Sequence, residues 1–166
     1  MMHRKALALA ALALPAALAA QNPAASAQPQ VIVAHSATLM WKAGPPSLPP
    51  GAEITVIEGN PAESEPFTFR LRFPPNYRIP PHSHSAIEHV TVLTGTLNVG
   101  MGEQATYSGG AVLKEGSYGV IPVGMRHYAW TGADGVTIQL HSIGPWTITY
   151  VNAADDPRNK RPAGNE

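Results

Sequence analysis

Pro80-Pro81-His82-Ser83-His84-Ser85-Ala86-Ile87-Glu88-His89-Val90-Thr91-Val92-Leu93-Thr94-Gly95 is the stretch from which the fold and the chemistry of this chain are read. It packs three candidate metal ligands, His82, His84 and Glu88, into seven positions. An apolar, β-branched run follows and ends at a glycine. Successive side chains on a strand point to opposite faces, so His82 and His84 share one face. Glu88 comes after a short bend, at the head of the next extended run. Two imidazoles and a carboxylate converging in this way make most of a site for a divalent metal. A histidine-rich surface loop that binds nothing is the competing reading, and a fourth ligand further along the chain decides between them.

Outward from this stretch the body reads as strand after strand. Phe67-Thr68-Phe69-Arg70-Leu71-Arg72-Phe73 alternates with period two, the apolar residues facing one way and the polar residues the other. Ile54 to Ile57 is a β-branched strand that ends in the Gly59-Asn60-Pro61 turn. Glu88 to Leu93 and Thr96 to Val99 flank Gly95 like a hairpin. Further strands are expected at Gly119 to Ile121, Arg126 to Trp130, Val136 to Ile143 and Trp146 to Val151. Beyond the N-terminal segment, no stretch keeps a helical period for ten residues. Many short strands punctuated by Gly and Pro predict an all-β sandwich or barrel over about residues 51–152.

Composition agrees with one such domain. The chain has 166 residues, 44% hydrophobic and 13% charged, with 17 prolines and 15 glycines that imply many turns. Eleven basic residues balance eleven acidic ones without a basic run, which argues against nucleic acid as a partner. There is no cysteine, so thiolate ligands and disulfides are excluded, and any metal must be held by nitrogen and oxygen.

The N-terminus reads as an address. His3-Arg4-Lys5 precedes Ala6 to Ala20, nearly all Ala and Leu, too short for a comfortable membrane span but suited to a secretory signal. Small residues for cleavage stand at Ala17-Leu18-Ala19 and at Ala25-Ser26-Ala27. Residues 1–27 are therefore expected to be a signal peptide, with a periplasmic or secreted product and no stable membrane anchor after cleavage. Cleavage after Ala27 removes Arg4 and Lys5 and leaves 9 basic against 11 acidic residues. Residues 28–50 form a proline-rich arm, which either adds a strand to a sheet edge, crosses to a second subunit or stays loosely ordered. Val31 to Val33 and Thr38 to Trp41 are its candidate strands. Residues 153–166 read as a polar, irregular tail; the adjacent acids Asp155 and Asp156 are read as solvated rather than as an ion site.

The missing ligand lies in Gly116-Ser117-Tyr118-Gly119-Val120-Ile121-Pro122-Val123-Gly124-Met125-Arg126-His127. This is a strand, a tight Pro-Val-Gly turn, and a histidine opening the return strand. Here the sequence resembles the cupins. His82, His84, Glu88 and Gly95 match their first motif, and Gly116, Pro122, Gly124 and His127 match their second. Asn76 stands where the first motif opens on glycine, and Thr131 where the second usually ends in asparagine. Asn tolerates the positive φ that glycine supplies.

The resemblance implies a small double-sheet jelly roll, usually dimeric, so a homodimer is the expected state. It also implies that His82, His84, Glu88 and His127 hold one divalent transition metal (Fe, Mn, Ni, Cu or Zn) in the barrel mouth. A mixed N/O site of this kind leaves positions open for water or substrate. His141 is the candidate acid/base if the polar face of Val136 to His141 lines the pocket, and a solvated histidine if the apolar face does. Tyr77, Tyr128 and Trp130 are read as core rather than ligand contacts. Arg126 is either a rim residue or a substrate clamp, and His89 faces away from Glu88. The function expected is an exported metal-dependent cupin acting on a small organic molecule, with a preference for a dioxygenase-type oxidoreductase. A non-catalytic metal- or ligand-binding protein is the alternative, and a lyase, decarboxylase or isomerase the second.

Overall fold

The computed structural model describes residues 31–160. The signal-peptide expectation falls on residues 1–27, outside them. Nine strands follow in order: β1 (Lys42–Ala43), β2 (Glu53–Glu58), β3 (Pro66–Phe73), β4 (Arg78–His84), β5 (Glu88–Met101), β6 (Ala111–Lys114), β7 (Tyr118–Ile121), β8 (His127–Ile143) and β9 (Ile148–Tyr150). The sheet path runs β1-β2-β3-β8-β4-β9, with β5 pairing β6, β7 and β8. All pairings are antiparallel.

β5 and β8 are the long members, and each serves both ends of the curled sheet. The C-terminal half of β8 pairs with β3 (Phe73↔Val136 to Pro66↔Ile143), and its N-terminal half with β4 (Ile79↔Ala129, His82↔His127). β5 runs beside β8 throughout, from His89↔His141 to Met101↔His127.

The hairpin expected at Gly95 is therefore absent. Gly95 has φ 78° and sits between two register shifts, so it bends a continuous strand instead of reversing it. Both halves of β5 keep β8 as partner across the bend, which is why the chain does not turn back. Likewise the strands expected at Arg126 to Trp130 and Val136 to Ile143 are a single strand, His127–Ile143, bent around Gly135 at φ 67°. A Cβ at Gly95 would lie 2.4 Å from the Gly135 carbonyl oxygen. Gly95→Ala should cost about 2 kcal/mol or more, combining a left-handed backbone with a clash against the main chain. Urea unfolding checks this, and a loss under about 0.5 kcal/mol, the range of neutral surface changes, would contradict it.

The predicted alternation of β3 holds. Phe67, Phe69, Leu71 and Phe73 are buried and face Val90, Val92, Val136, Ile138 and Leu140 from β5 and β8. Full burial of such side chains contributes roughly 1.5–3 kcal/mol each, so this layer is the main stabilising element. Tyr77 stacks on Phe73 at 4.9 Å, and its hydroxyl donates to the Pro49 carbonyl. Tyr128 and Trp130 stack on each other outside the cavity wall; Tyr128 is buried as expected, whereas Trp130 is half-buried and lies outside the core.

Asn76 takes φ 58°, the conformation that glycine would supply. Thr131 is buried; its Oγ1 donates to the Pro74 carbonyl at 2.7 Å and accepts from the Tyr77 N–H at 2.8 Å. The two departures from the motif thus meet at one turn, which Thr131 clamps.

The arm joins the sheet at a different place from the one expected. Val31 to Val33 is irregular and residues 36–38 form a 3-10 turn, while Lys42–Ala43 pairs with β2 as an edge strand. The tail is also more regular than its composition suggests. Two 3-10 turns, Ala153–Asp155 and Pro157–Asn159, are capped by Asn152 and Asp156. Asp156 pairs with Arg158, which also donates to the Ile148 carbonyl.

Candidate metal centre

β4 delivers His82 and His84 to the same face, as strand alternation requires, and β8 opens with His127 directly across from His82. The bend at Ser85 to Ile87 carries the chain over to β5, whose first residue is Glu88. All four side chains are buried. The ligand atoms of His82, His84 and His127 lie within 4.8 Å of one another. Glu88 Oε2 stands 3.1 Å from His84 Nε2 and 3.5 Å from His127 Nε2. The structure therefore brings together every residue that the sequence proposed as a ligand.

The second ring nitrogens fix the chemistry of the first. His82 Nδ1 faces the Pro80 carbonyl at 2.7 Å, His84 Nδ1 that of Thr147 at 3.1 Å, and His127 Nδ1 that of Met125 at 3.0 Å. A carbonyl only accepts, so each Nδ1 carries the proton and each Nε2 presents a lone pair. This is the orientation in which histidine ligates metal, with a carbonyl as outer partner. Two of the inward atoms, His84 Nε2 and Glu88 Oε2, are buried and have no hydrogen-bond partner. Lone pairs left unpaired in an apolar setting are costly, and a cation among them satisfies both. The donor set fits a divalent transition metal.

Electrostatics point the same way. Burial, reinforced by the neighbouring His127 and His84, pulls His82 down from 6.5 to about 3, so it stays neutral at ordinary pH. Burial pushes Glu88 up, but wherever His127 and His84 carry a proton on Nε2 in place of a cation, their hydrogen bonds to the carboxyl outweigh burial and hold it well below its usual range. A neutral imidazole and an ionised carboxylate are the ligating forms.

The four residues line a cavity of about 190 Å³. The rest of its wall is almost wholly apolar, built from residues such as Phe69, Leu71, Ile138, Leu140 and Trp146. Among the described residues that line it, Glu88 is the only Asp, Glu, Lys or Arg, and the arm contributes Pro45, Ser47 and Leu48.

His141 is not in this wall. The apolar face of Val136 to His141 turns inward, so His141 is exposed on the outer face, its ring stacked on His89 at 4.7 Å. The acid/base reading of His141 is corrected on that ground. His89 faces outward as expected, and its Nδ1 meets the Tyr118 hydroxyl. Arg126 is exposed, paired with Glu103, and is not among the residues that line the cavity. Trp146 was read only as the start of a strand, yet it lies in the wall with its ring on His84, centroids 4.2 Å apart and planes 15° apart. Its Gly-Pro prelude signalled a break, but no sequence period signalled its direction.

A curled antiparallel sheet with three histidines and a glutamate inside its mouth defines a cupin. A sequence model of the ChrR cupin-like domain matches residues 29–145, and the chain belongs to that family. No curated protein matches the sequence. Among solved structures, the polyketide cyclase RemF from Streptomyces resistomycificus is similar at TM-score 0.61 and 16% identity, over 78% of this chain and 91% of that one. A candidate acetylacetone dioxygenase from Methylibium petroleiphilum PM1 reaches TM-score 0.59 at 17% identity, over 80% and 88%. An oxalate oxidase reaches 0.52 at 24% identity, over 78% and 68%. At these identities the likeness is one of fold.

Proposed function

We propose that the chain is an exported metal-dependent cupin acting on a small, uncharged organic molecule, with oxidation of the dioxygenase type as the favoured reaction. The cavity wall carries this reading. Apart from the four metal-facing residues, the described residues that line it offer no acid, base or cation, and the candidate base His141 lies outside it. Lyase, decarboxylase and isomerase chemistry moves protons at substrate carbon and calls for an acid/base beside the metal. A redox metal held by imidazole and carboxylate supplies O₂ chemistry itself. The chain's own part is then to hold the metal, orient the substrate and exclude water.

Size and charge narrow the substrate. A cavity of about 190 Å³ is smaller than the roughly 300–1,000 Å³ typical of drug-sized ligands. With no Lys or Arg among the described residues of the wall, a neutral diketone or phenol suits it better than a dicarboxylate. The basic start and Ala/Leu run of residues 3–20 support export. The absence of an acid/base equally supports a second reading, capture of a small ligand without turnover.

Oxygen uptake by the iron-loaded full chain, offered neutral 1,3-diketones and phenols, tests the choice. Substrate-dependent uptake is expected, lost in His82→Ala and kept in His141→Ala. Binding of these compounds without uptake, with iron and equally with manganese, nickel or copper, would decide for the binding protein.

A further inference from the structure

Three side-chain polar atoms among the described residues are buried without a hydrogen-bond partner: His84 Nε2, Glu88 Oε2 and Trp146 Nε1. All three residues line the same cavity. Two of these atoms are lone-pair acceptors 3.1 Å apart, and a cation satisfies both. The third is a donor only, and no cation can satisfy it. What Trp146 lacks is an acceptor, and the described residues do not supply one.

The indole is held firmly in this condition. Its face lies on the His84 imidazole, and Phe67 and Phe69 meet it edge to face at 6.2 and 5.8 Å. Its backbone N–H donates to the Pro61 carbonyl at 2.7 Å. The ring is therefore not free to swing towards a partner elsewhere, and it borders one of the metal-facing histidines. A buried donor that a fold leaves unpaired at a cavity is met by a water or by a ligand that enters and displaces it.

We infer that Trp146 is the specificity-determining donor of this site, its indole N–H binding an acceptor oxygen of the small uncharged molecule held beside His84. The inference rests on the metal-dependent reading above and sharpens its substrate class. The ligand carries oxygen both for the metal and for the indole, on an otherwise apolar frame. A 1,3-diketone meets both demands, whereas a hydrocarbon meets neither.

The test uses the full chain loaded with zinc, which is diamagnetic and redox-silent, and pentane-2,4-dione as probe. The indole N–H resonances are followed by ¹H–¹⁵N spectroscopy, with Trp146 identified by its loss in Trp146→Phe. The Trp146 proton should move downfield when the probe is added and not with zinc alone. Replacing Trp146 by 3-benzothienylalanine keeps the ring shape and puts sulfur in place of N–H. That change should weaken probe binding roughly threefold to tenfold, as loss of one neutral hydrogen bond does, with zinc affinity unchanged.

An unmoved resonance with probe bound, or equal probe affinity in both proteins, would overturn the inference. So would a parallel fall in zinc affinity, which would make the indole a prop for His84 instead. A zinc-loaded chain that ignores the probe would overturn the ligand class and leave the metal site standing. A wild-type chain that takes no zinc would sink the metal reading itself, and the inference with it.

Discussion

Replacing His82 or His127 by alanine should lower the affinity for a divalent transition metal by at least about a hundredfold, the upper end of what removing an outer-shell partner costs. His89→Ala and His141→Ala should leave it unchanged. The contrast follows from where strand alternation puts each ring. His82 and His127 face each other across β4 and β8, with Nδ1 tied to a carbonyl and Nε2 turned inward. His89 and His141 face each other across β5 and β8, one strand pair along, but on the outer side of the sheet. The two pairs are alike in composition and differ in facing alone. Competition against a chromophoric chelator measures the four variants on one scale. Equal affinity in all four would mean that the inner rings do not hold the metal.

Acid should destabilise the metal-free chain well before ordinary carboxylates titrate, and His82 should be a main cause. Its folded pKa of about 3 lies below the ordinary 6.5, so the unfolded chain takes up the proton first. The stability that neutral His82 contributes is complete above about pH 6.5 and drains away as pH falls towards 3. At 1.36 kcal/mol per pH unit the full loss is on the order of 5 kcal/mol, a large share of a domain's usual 5–15. Glu88 acts in the same direction lower down. Its carboxyl is held below the usual range, so its contribution is present above that range and lost as pH drops through the folded value. Bound metal deepens the dependence, because protons compete for the same lone pairs. Denaturant unfolding at pH 7 and pH 4 gives the slope, and His82→Ala should flatten it relative to the wild type. Parallel profiles for the two proteins would contradict the assignment.

Much of this was legible in the sequence because it is local. The spacing His-x-His on an extended run puts two imidazoles on one face whatever the rest of the chain does, and the Pro-Val-Gly turn aims His127 back at them. Period two in Phe67 to Phe73 likewise fixed a strand and its buried face. What was not legible depends on partners far along the chain. Gly95 read as a hairpin because glycine before a second apolar run usually turns; only the shared partner β8 makes it a bulge. The facing of His141 hung on which side of β8 meets Phe69 and Val90, a matter of register across three strands. His82 and His127 find their carbonyl partners two residues upstream, but His84 finds Thr147, 63 residues away. Trp146 belongs to the same class: its role comes from the ring it lies on, and nothing near it in sequence names that ring.

The most direct test of the metal centre is elemental analysis of the full chain, purified without chelator or added metal. Close to one transition-metal ion per chain is expected, falling to a small fraction of that in His82→Ala. A chain that is empty as purified, and stays empty after Fe, Mn, Ni, Cu and Zn are each offered, would contradict it.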